Sequence, residues 1–146
     1  MTGHVPNAYI QASVPKVKNG QDRITMKITG ILVDILVGIL PSTYSKYVVF
    51  EQGKKVLYVH VIKAIYGMLE SALLWYKMFW SDLENEEFGF NPYDPCVAIR
   101  NIKSAQQTVI FYVDDLKSSH IDPTVNDEFS LWLQSKYGQH KAVDIR

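Results

Sequence analysis

The chain has 146 residues, a length that suits one domain with a substantial hydrophobic core. Its composition, 47% hydrophobic and 21% charged, excludes a large disordered part. The formal net charge of zero gives no electrostatic support for nucleic-acid binding by the chain alone. The single cysteine, Cys96, excludes an internal disulfide and suits a reducing compartment.

The N-terminal part is predicted to form a short strand, a loop and a second strand. Residues 4–11 predict the first strand, with Pro6 near its start, where a missing N–H is tolerated. The polar loop at residues 15–22 contains Asn19-Gly20, a dipeptide that favours turns. Residues 23–28 alternate between polar and apolar side chains and therefore predict a half-buried strand.

An apolar block and a hairpin come next. Residues 31–40 follow Gly30 and predict a helix that ends before Pro41. Two runs rich in β-branched and aromatic residues then flank a polar turn, which predicts a β-hairpin with strands at residues 47–50 and 56–61.

Two amphipathic helices are predicted in the second half. The first begins at Ser71 and is expected to stop at Gly89, and its apolar residues recur at helical spacing: Ala72, Trp75, Tyr76, Phe79 and Leu83. This stripe favours core packing over a ligand-binding box. The second helix opens with Asp122 as N-cap and Pro123 in its first turn and closes at Gly138. Its predicted inner face consists of Val125, Phe129, Trp132 and Leu133.

Between these helices lie a turn at residues 91–95, a strand at 96–100 and a second strand at 108–113. Asp114 and Asp115 follow directly, and adjacent acids at the end of an apolar run suit the tip of a β-hairpin. Two negative charges so close together are unfavourable unless a cation lies between them. A hard divalent ion such as Mg²⁺ takes carboxylate oxygens, although a plain surface turn is the alternative for a bare Asp-Asp pair.

These elements predict an α+β domain in which two or three helices cover one face of a mainly antiparallel sheet. The Asp-Asp turn is expected at the edge of that sheet, next to the N-terminal strand. Residues 1–146 are predicted to form a single domain.

The ordered set of short motifs resembles the reverse transcriptase of Ty1/copia-type retrotransposons. Any one motif would be weak, but together they span nearly the whole chain in the order of that family. They are residues 5–10 (Val-Pro-Asn-Ala-Tyr-Ile), 63–68 with Ser71 and Trp75-Tyr76, Asp94-Pro95-Cys96, and residues 112–116 (Tyr-Val-Asp-Asp-Leu). The resemblance implies a polymerase palm, with most of the fingers and the thumb outside this chain.

The resemblance also implies roles for individual residues in two-metal phosphoryl transfer with Mg²⁺ or Mn²⁺. Asp114 would be the main metal ligand and catalytic residue, with Asp115 as its weaker companion. Three residues would lie near the incoming nucleotide, and two would contact the primer–template. The nucleotide set is Tyr9, Tyr66 and Gly67, and the primer–template set is Tyr112 and Ser71. Ordinary core packing for Tyr9 and a plain turn for Gly67 are equally compatible with the sequence.

Two positions depart from the family pattern. The other catalytic Asp of the family should occupy the position of His4, and imidazole is a poor ligand for Mg²⁺. A Lys-Gln-Ser-Pro stretch of the family here reads as Leu69, Glu70, Ser71 and Ala72, which replaces a cation with an anion and weakens contacts to phosphates. Both changes are expected to impair catalysis while leaving the fold intact.

Family membership would make the chain an RNA-directed DNA polymerase domain, truncated and weakly active or inactive in this copy. Its partners would be dNTPs, an RNA or DNA primer–template, and the fingers, thumb, ribonuclease H and integrase regions of a polyprotein. The alternative is a non-catalytic palm-fold binding or scaffold domain. The most apolar run, residues 28–40, carries Asp34 and is too short to span a bilayer, and no secretory leader is evident. We therefore expect no membrane partner and a cytoplasmic location, in a virus-like particle if the resemblance holds.

Overall fold

The computed structural model describes residues 1–15, 23–139 and 141–146, so most of the predicted loop at residues 15–22, with its Asn19-Gly20 dipeptide, lies outside the described residues. The described part combines helices with antiparallel sheets, which confirms the α+β class. It contains no helix with the length and apolar character needed to cross a bilayer. The chain divides into two compact units, Met1–Ser13 with Lys63–Arg146 and Val14–Ile62.

The elements are numbered in chain order. The strands are β1 Thr2–His4, β2 Thr25–Thr29, β3 Val48–Glu51, β4 Lys54–His60, β5 Gly89–Phe90, β6 Val97–Ile102, β7 Ala105–Tyr112, β8 Asp115–Ser119 and β9 Asp144–Ile145. The α-helices are α1 Ala8–Gln11, α2 Ile31–Ile39, α3 Pro41–Tyr44, α4 Ser71–Asn85 and α5 Pro123–Tyr137, and a 3₁₀ turn covers Ser45–Tyr47.

The larger unit is built on a six-stranded antiparallel sheet in the order β5-β6-β7-β8-β1-β9. Successive side chains on a strand point to opposite faces. On β7, Val109 and Phe111 are buried whereas Ile110 and Tyr112 are exposed. The buried face joins one hydrophobic core with residues of the two long helices, chiefly Trp75, Phe79 and Leu83 of α4 and Phe129 and Leu133 of α5. The predicted packing of helices on one sheet face is therefore confirmed. The core role of the α4 stripe is confirmed for Trp75, Phe79 and Leu83, whereas Tyr76 is partly buried and Ala72 is exposed.

The end of α4 differs from the sequence prediction, which placed the stop at Gly89. The helix ends at Asn85, and Gly89 lies in β5. The N–H of Phe88 donates to the carbonyl of Leu83, and that of Glu87 donates to the carbonyl of Glu84. These bonds form a Schellman motif, with Glu87 at φ 64° in the left-handed position that glycine usually occupies. The prediction was wrong because it looked for the usual glycine. By contrast, α5 begins and ends as predicted, at the Asp122 cap and at Gly138.

The predicted strand at residues 4–11 is also wrong over most of its length. Strand β1 ends at His4, and a single helical turn, α1, follows. Pro6 offers no N–H to a neighbouring strand, and Asn7 adopts a left-handed φ of 56°, which Asn tolerates better than most residues. The chain therefore turns away from the sheet directly after β1, and Ala8 becomes buried in the core.

The smaller unit contains a three-stranded antiparallel sheet in the order β2-β4-β3. Its strands confirm the predicted strand at residues 23–28 and the predicted hairpin, whose two-residue turn has positive φ at both Gln52 and Gly53. Helix α2 confirms the predicted apolar helix and ends before Pro41, which begins the short α3. Among the described residues of this unit, the fully buried side chains are Val33, Val56 and Leu57.

Two leucines on α5 offer a matched test of the core. Leu133 is fully buried and Leu131 is 69% exposed. We expect Leu133→Ala to lower the free energy of unfolding by about 2–5 kcal/mol, because it removes buried methyl groups and leaves a cavity. Leu131→Ala should change it by about 0.5 kcal/mol or less. Denaturant unfolding followed by circular dichroism measures both, and equal losses would contradict the helix orientation described.

Candidate metal centre

The two adjacent acids lie where the sequence predicts them, at the tip of a hairpin. Tyr112 and Asp115 form the last pair between β7 and β8, so Val113 and Asp114 make a two-residue turn. Val113 has a φ of 55°, a left-handed conformation that is unusual for a β-branched residue. Such a conformation costs on the order of 1–3 kcal/mol and persists only where the surroundings hold it in place.

Two hydrogen bonds and the core hold this turn. The indole Nε1–H of Trp75 on α4 donates to the carbonyl of Val113 at 2.5 Å. The backbone N–H of Val5, directly after β1, donates to the carbonyl of Asp114 at 2.7 Å. The side chain of Val113 is partly buried against the hydrophobic core. A buried helix and the N-terminal strand thus position the carboxylates, and these contacts offset the cost of the left-handed valine.

Strand β1 lies beside β8, which confirms the predicted neighbour of the hairpin. Its register pairs Thr2 with Lys117, Gly3 with Leu116, and His4 with Asp115. Val5 and Asp114 are the next two opposite residues, and the bond from the Val5 N–H to the Asp114 carbonyl makes them a hydrogen-bonded pair. Because the two kinds of pair alternate along antiparallel strands, His4 and Asp115 form a non-hydrogen-bonded pair. In such pairs the Cα atoms are about 4.5 Å apart and the side chains approach most closely. The predicted position at the edge of the sheet is wrong, because β7 and β8 are internal strands and the turn lies at their ends.

This register brings three potential metal ligands together. His4 Nδ1 lies 3.0 Å from Asp115 Oδ1 and 3.9 Å from Asp114 Oδ2. One ligand atom from each residue can be chosen so that all lie within 4.8 Å of one another. The side chains of His4, Asp114 and Asp115 are 46%, 28% and 75% exposed, so solvent and ligands can reach them. The imidazole either donates a hydrogen bond to Asp115 or, when deprotonated at Nδ1, offers a lone pair to a cation.

The ligands border the sheet face that the core does not use. Residues directly opposite each other on neighbouring strands share a face. One row across four strands consists of Tyr112, Asp115, His4 and Asp144, and the next row contains Ile110, Lys117, Thr2 and Arg146. Together with neighbouring residues they line an open cavity of about 590 Å³. An acidic row therefore lies beside two cationic side chains, Lys117 and Arg146.

Asp144, Lys117 and Arg146 were not identified from the sequence. Asp144 on β9 lies opposite His4 on β1, and its carboxylate accepts a hydrogen bond from the Arg146 guanidinium at 2.8 Å. A strand as short as β9 carries no periodic signal of its own, so only its pairing with β1 reveals these neighbours.

The predicted nucleotide-contacting residues lie close to one another. The rings of Tyr9 and Tyr66 have centroids 4.6 Å apart, and Tyr9 is partly buried against the core while Tyr66 is 55% exposed. Partial burial, with a contribution from the negative charge of Asp114, raises the pKa of Tyr66. Gly67 has a φ of 90°, with open space where a Cβ would be, so the backbone conformation alone requires glycine there.

The two predicted primer–template residues differ in their surroundings. Tyr112 is 79% exposed on the open sheet face. Ser71 is only 1% exposed, and its hydroxyl donates to the carbonyl of Ile65 at 2.6 Å. The Ser71 hydroxyl therefore stabilises the loop before α4, and the side chain is not accessible to a nucleic acid in this structure.

The donor set does not fit the pair of Mg²⁺ ions that the resemblance implies. Two carboxylates supply hard oxygen ligands, but the third position offers a neutral imidazole nitrogen, which Mg²⁺ disfavours. No protein-family model matches the chain, and no solved structure matches it. The fold and the site together define the chain as an α+β domain with a solvent-accessible cluster of one histidine and two aspartates.

Trp75 provides a test of how the turn is held. Trp75→Phe should lower the free energy of unfolding by about 1–3 kcal/mol, because the Val113 carbonyl loses its donor. The amide signals of Asp114 and Asp115 should shift in ¹H–¹⁵N NMR spectra. Trp80, whose ring stacks on Phe90, gives the matched control, and Trp80→Phe should leave the hairpin signals in place. Unchanged hairpin signals in Trp75→Phe would show that the indole does not position the turn.

Proposed function

We propose that this chain is a palm-type domain related to the reverse transcriptases of Ty1/copia-type retrotransposons, and by descent an RNA-directed DNA polymerase domain. One observation carries the proposal. His4 and Asp115 are 111 positions apart in the chain, yet their ligand atoms lie 3.0 Å from each other. The resemblance assigns metal ligands to the two segments that contain these residues, and a common site requires such proximity.

The other motifs that carry the resemblance gather around the same turn. Val5 donates to the turn backbone from one motif, and Trp75 donates to it from another. The rings of Tyr66 and Tyr9 contact each other at an interplanar angle of 42°, so these two motifs also meet. The Asp94-Pro95-Cys96 motif leads into β6, and the Cys96 carbonyl accepts a bond from the N–H of Phe111 on β7. Short motifs that are distant in sequence but adjacent in space are expected of a shared functional centre.

The proposed activity of this copy is weak or absent. Polymerases of this kind stabilise the charge of the transferring phosphoryl group electrostatically, and a missing carboxylate removes part of that stabilisation. His4 supplies neither a fixed negative charge nor oxygen donors. Leu69 and Glu70, both exposed just before α4, add an apolar and an anionic side chain where the resembled family has a basic one. Glu70 repels phosphates, which weakens the contribution of that segment to nucleic-acid binding.

The presence of a histidine in place of an aspartate at position 4 also favours a second candidate, a non-catalytic palm-fold binding or scaffold domain. In that case the aspartates would be structural, and a restored carboxylate would not produce polymerase activity. The first proposal further implies dNTPs and a primer–template as partners, ribonuclease H and integrase regions in the same polyprotein, and a cytoplasmic virus-like particle as the location. The genomic flanks of the reading frame, which either encode those regions or do not, separate the two candidates.

Primer extension on an RNA template tests the proposed function, using a complete polymerase domain rebuilt around these residues. His4→Asp should raise the extension rate by orders of magnitude, because the third carboxylate restores both charge and oxygen donors. Asp114→Asn in that background should abolish extension.

His60→Asp gives the matched control, since His60 is an exposed histidine in the smaller unit and its replacement adds the same charge elsewhere. It should leave the rate unchanged. If the His4 form already extends primers as fast as the Asp form, the assignment of position 4 is wrong. If neither form extends them, the scaffold reading is favoured.

A further inference from the structure

We infer that His4, Asp114 and Asp115 bind a single borderline divalent transition-metal ion, with Zn²⁺ as the representative, in preference to Mg²⁺. The mismatch between this donor set and a magnesium pair points to such an ion. Imidazole nitrogen and carboxylate oxygen are both ordinary Zn²⁺ ligands, and a set of three leaves a fourth position for water or an external ligand. The proposed ion would bind whether or not a domain built around these residues extends primers.

The observed distances suit one ion with little rearrangement. Around a tetrahedral Zn²⁺ with ligand bonds of about 2.0–2.2 Å, neighbouring donor atoms are roughly 3.3 Å apart. His4 Nδ1 and Asp115 Oδ1 lie 3.0 Å apart, and His4 Nδ1 and Asp114 Oδ2 lie 3.9 Å apart. Small side-chain rotations would bring the three donor atoms to this spacing, and all three side chains are at least partly exposed.

The backbone frame reduces the entropic cost of assembling these ligands. His4 and Asp115 are fixed as a cross-strand pair, and Asp114 is held by the bond between its carbonyl and the Val5 N–H. The charges also balance, since two carboxylates neutralise a divalent ion while the imidazole remains neutral. His4 and Asp115 border the cavity of about 590 Å³, so the open coordination position would face a space large enough for an external ligand.

Selectivity is the property that distinguishes this site from a bare pair of acids. Sites that offer imidazole nitrogen as well as oxygen ligands generally favour transition-metal ions over Mg²⁺, so tight Zn²⁺ binding by itself would not identify the ligands. The imidazole of His4 must therefore account for the preference. Its removal should weaken Zn²⁺ binding strongly and Mg²⁺ binding hardly at all, because Mg²⁺ takes oxygen ligands and retains several waters.

Calorimetric titration of the full, untagged chain tests the inference, with Zn²⁺ and Mg²⁺ as separate ligands. The wild-type chain should bind one Zn²⁺ at least about tenfold more tightly than Mg²⁺. His4→Gln should weaken Zn²⁺ binding by about tenfold or more and change Mg²⁺ binding by about twofold at most. Asp115→Asn should weaken the binding of both ions. Co²⁺ gives a second readout, because its visible absorption depends on coordination geometry and ligand type, and the spectrum of the wild-type complex should change in His4→Gln.

His60→Gln is the matched control, since it removes an exposed histidine that lies in the other compact unit. It should leave the affinity for Zn²⁺ unchanged. Unaltered Zn²⁺ affinity in His4→Gln, or an equal loss in His60→Gln, would overturn the inference, as would wild-type Mg²⁺ binding as tight as that of Zn²⁺. None of these outcomes depends on primer extension, so a failure here and a failure of the proposed function are distinguishable.

Discussion

The pairing of strand β1 with strand β8 is the interaction on which the site depends. It places His4 directly opposite Asp115, and the next residue, Val5, donates the hydrogen bond that fixes the Asp114 carbonyl. A shift of one residue in this register would turn the His4 side chain towards the core and remove it from the acids. Gly3 fits this packing closely, because a Cβ there would lie 3.2 Å from a methyl group of Leu116. The cluster is therefore a product of tertiary pairing, although the Asp-Asp turn is a local feature.

The turn links this strand pairing to the hydrophobic core. Its left-handed valine is held by an indole from α4, a helix whose inner face packs against the sheet. The two carboxylates differ in their exposure to solvent and in their neighbours. Asp114 is 28% exposed and close enough to Tyr66 for its charge to act on that phenol, whereas Asp115 is 75% exposed beside His4. The neighbouring row of Lys117 and Arg146 adds positive charge on the same open face. If the cluster binds a metal ion, an anionic ligand of that ion would lie near the Lys117 and Arg146 side chains.

Signals that act over a few residues allowed much of the fold to be predicted. The Asp122 cap with Pro123, the two apolar helix faces and the two hairpins were all evident from the sequence, and each is present. The failures have physical causes that lie outside such signals. Asn7 takes a left-handed conformation that ends strand pairing early, and Glu87 occupies a helix-terminating position that usually holds glycine. Asp144 joins the row of His4 only through pairing between chain segments far apart in sequence, which no local pattern encodes. The N-terminal strand was expected beside the Asp-Asp turn from the predicted elements, whereas position 4 was identified as a metal-ligand position from the family resemblance.

The contact between His4 and Asp115 is tested most directly by a nuclear Overhauser measurement on the isotope-labelled chain. In a non-hydrogen-bonded antiparallel pair the two Cα atoms are about 4.5 Å apart and their hydrogens face each other. The account predicts a strong Hα–Hα cross-peak between His4 and Asp115, and a second between Thr2 and Lys117, which form the equivalent pair two residues away. A spectrum in which β1 shows no cross-peaks to β8, or shows them in a register shifted by one residue, would contradict it.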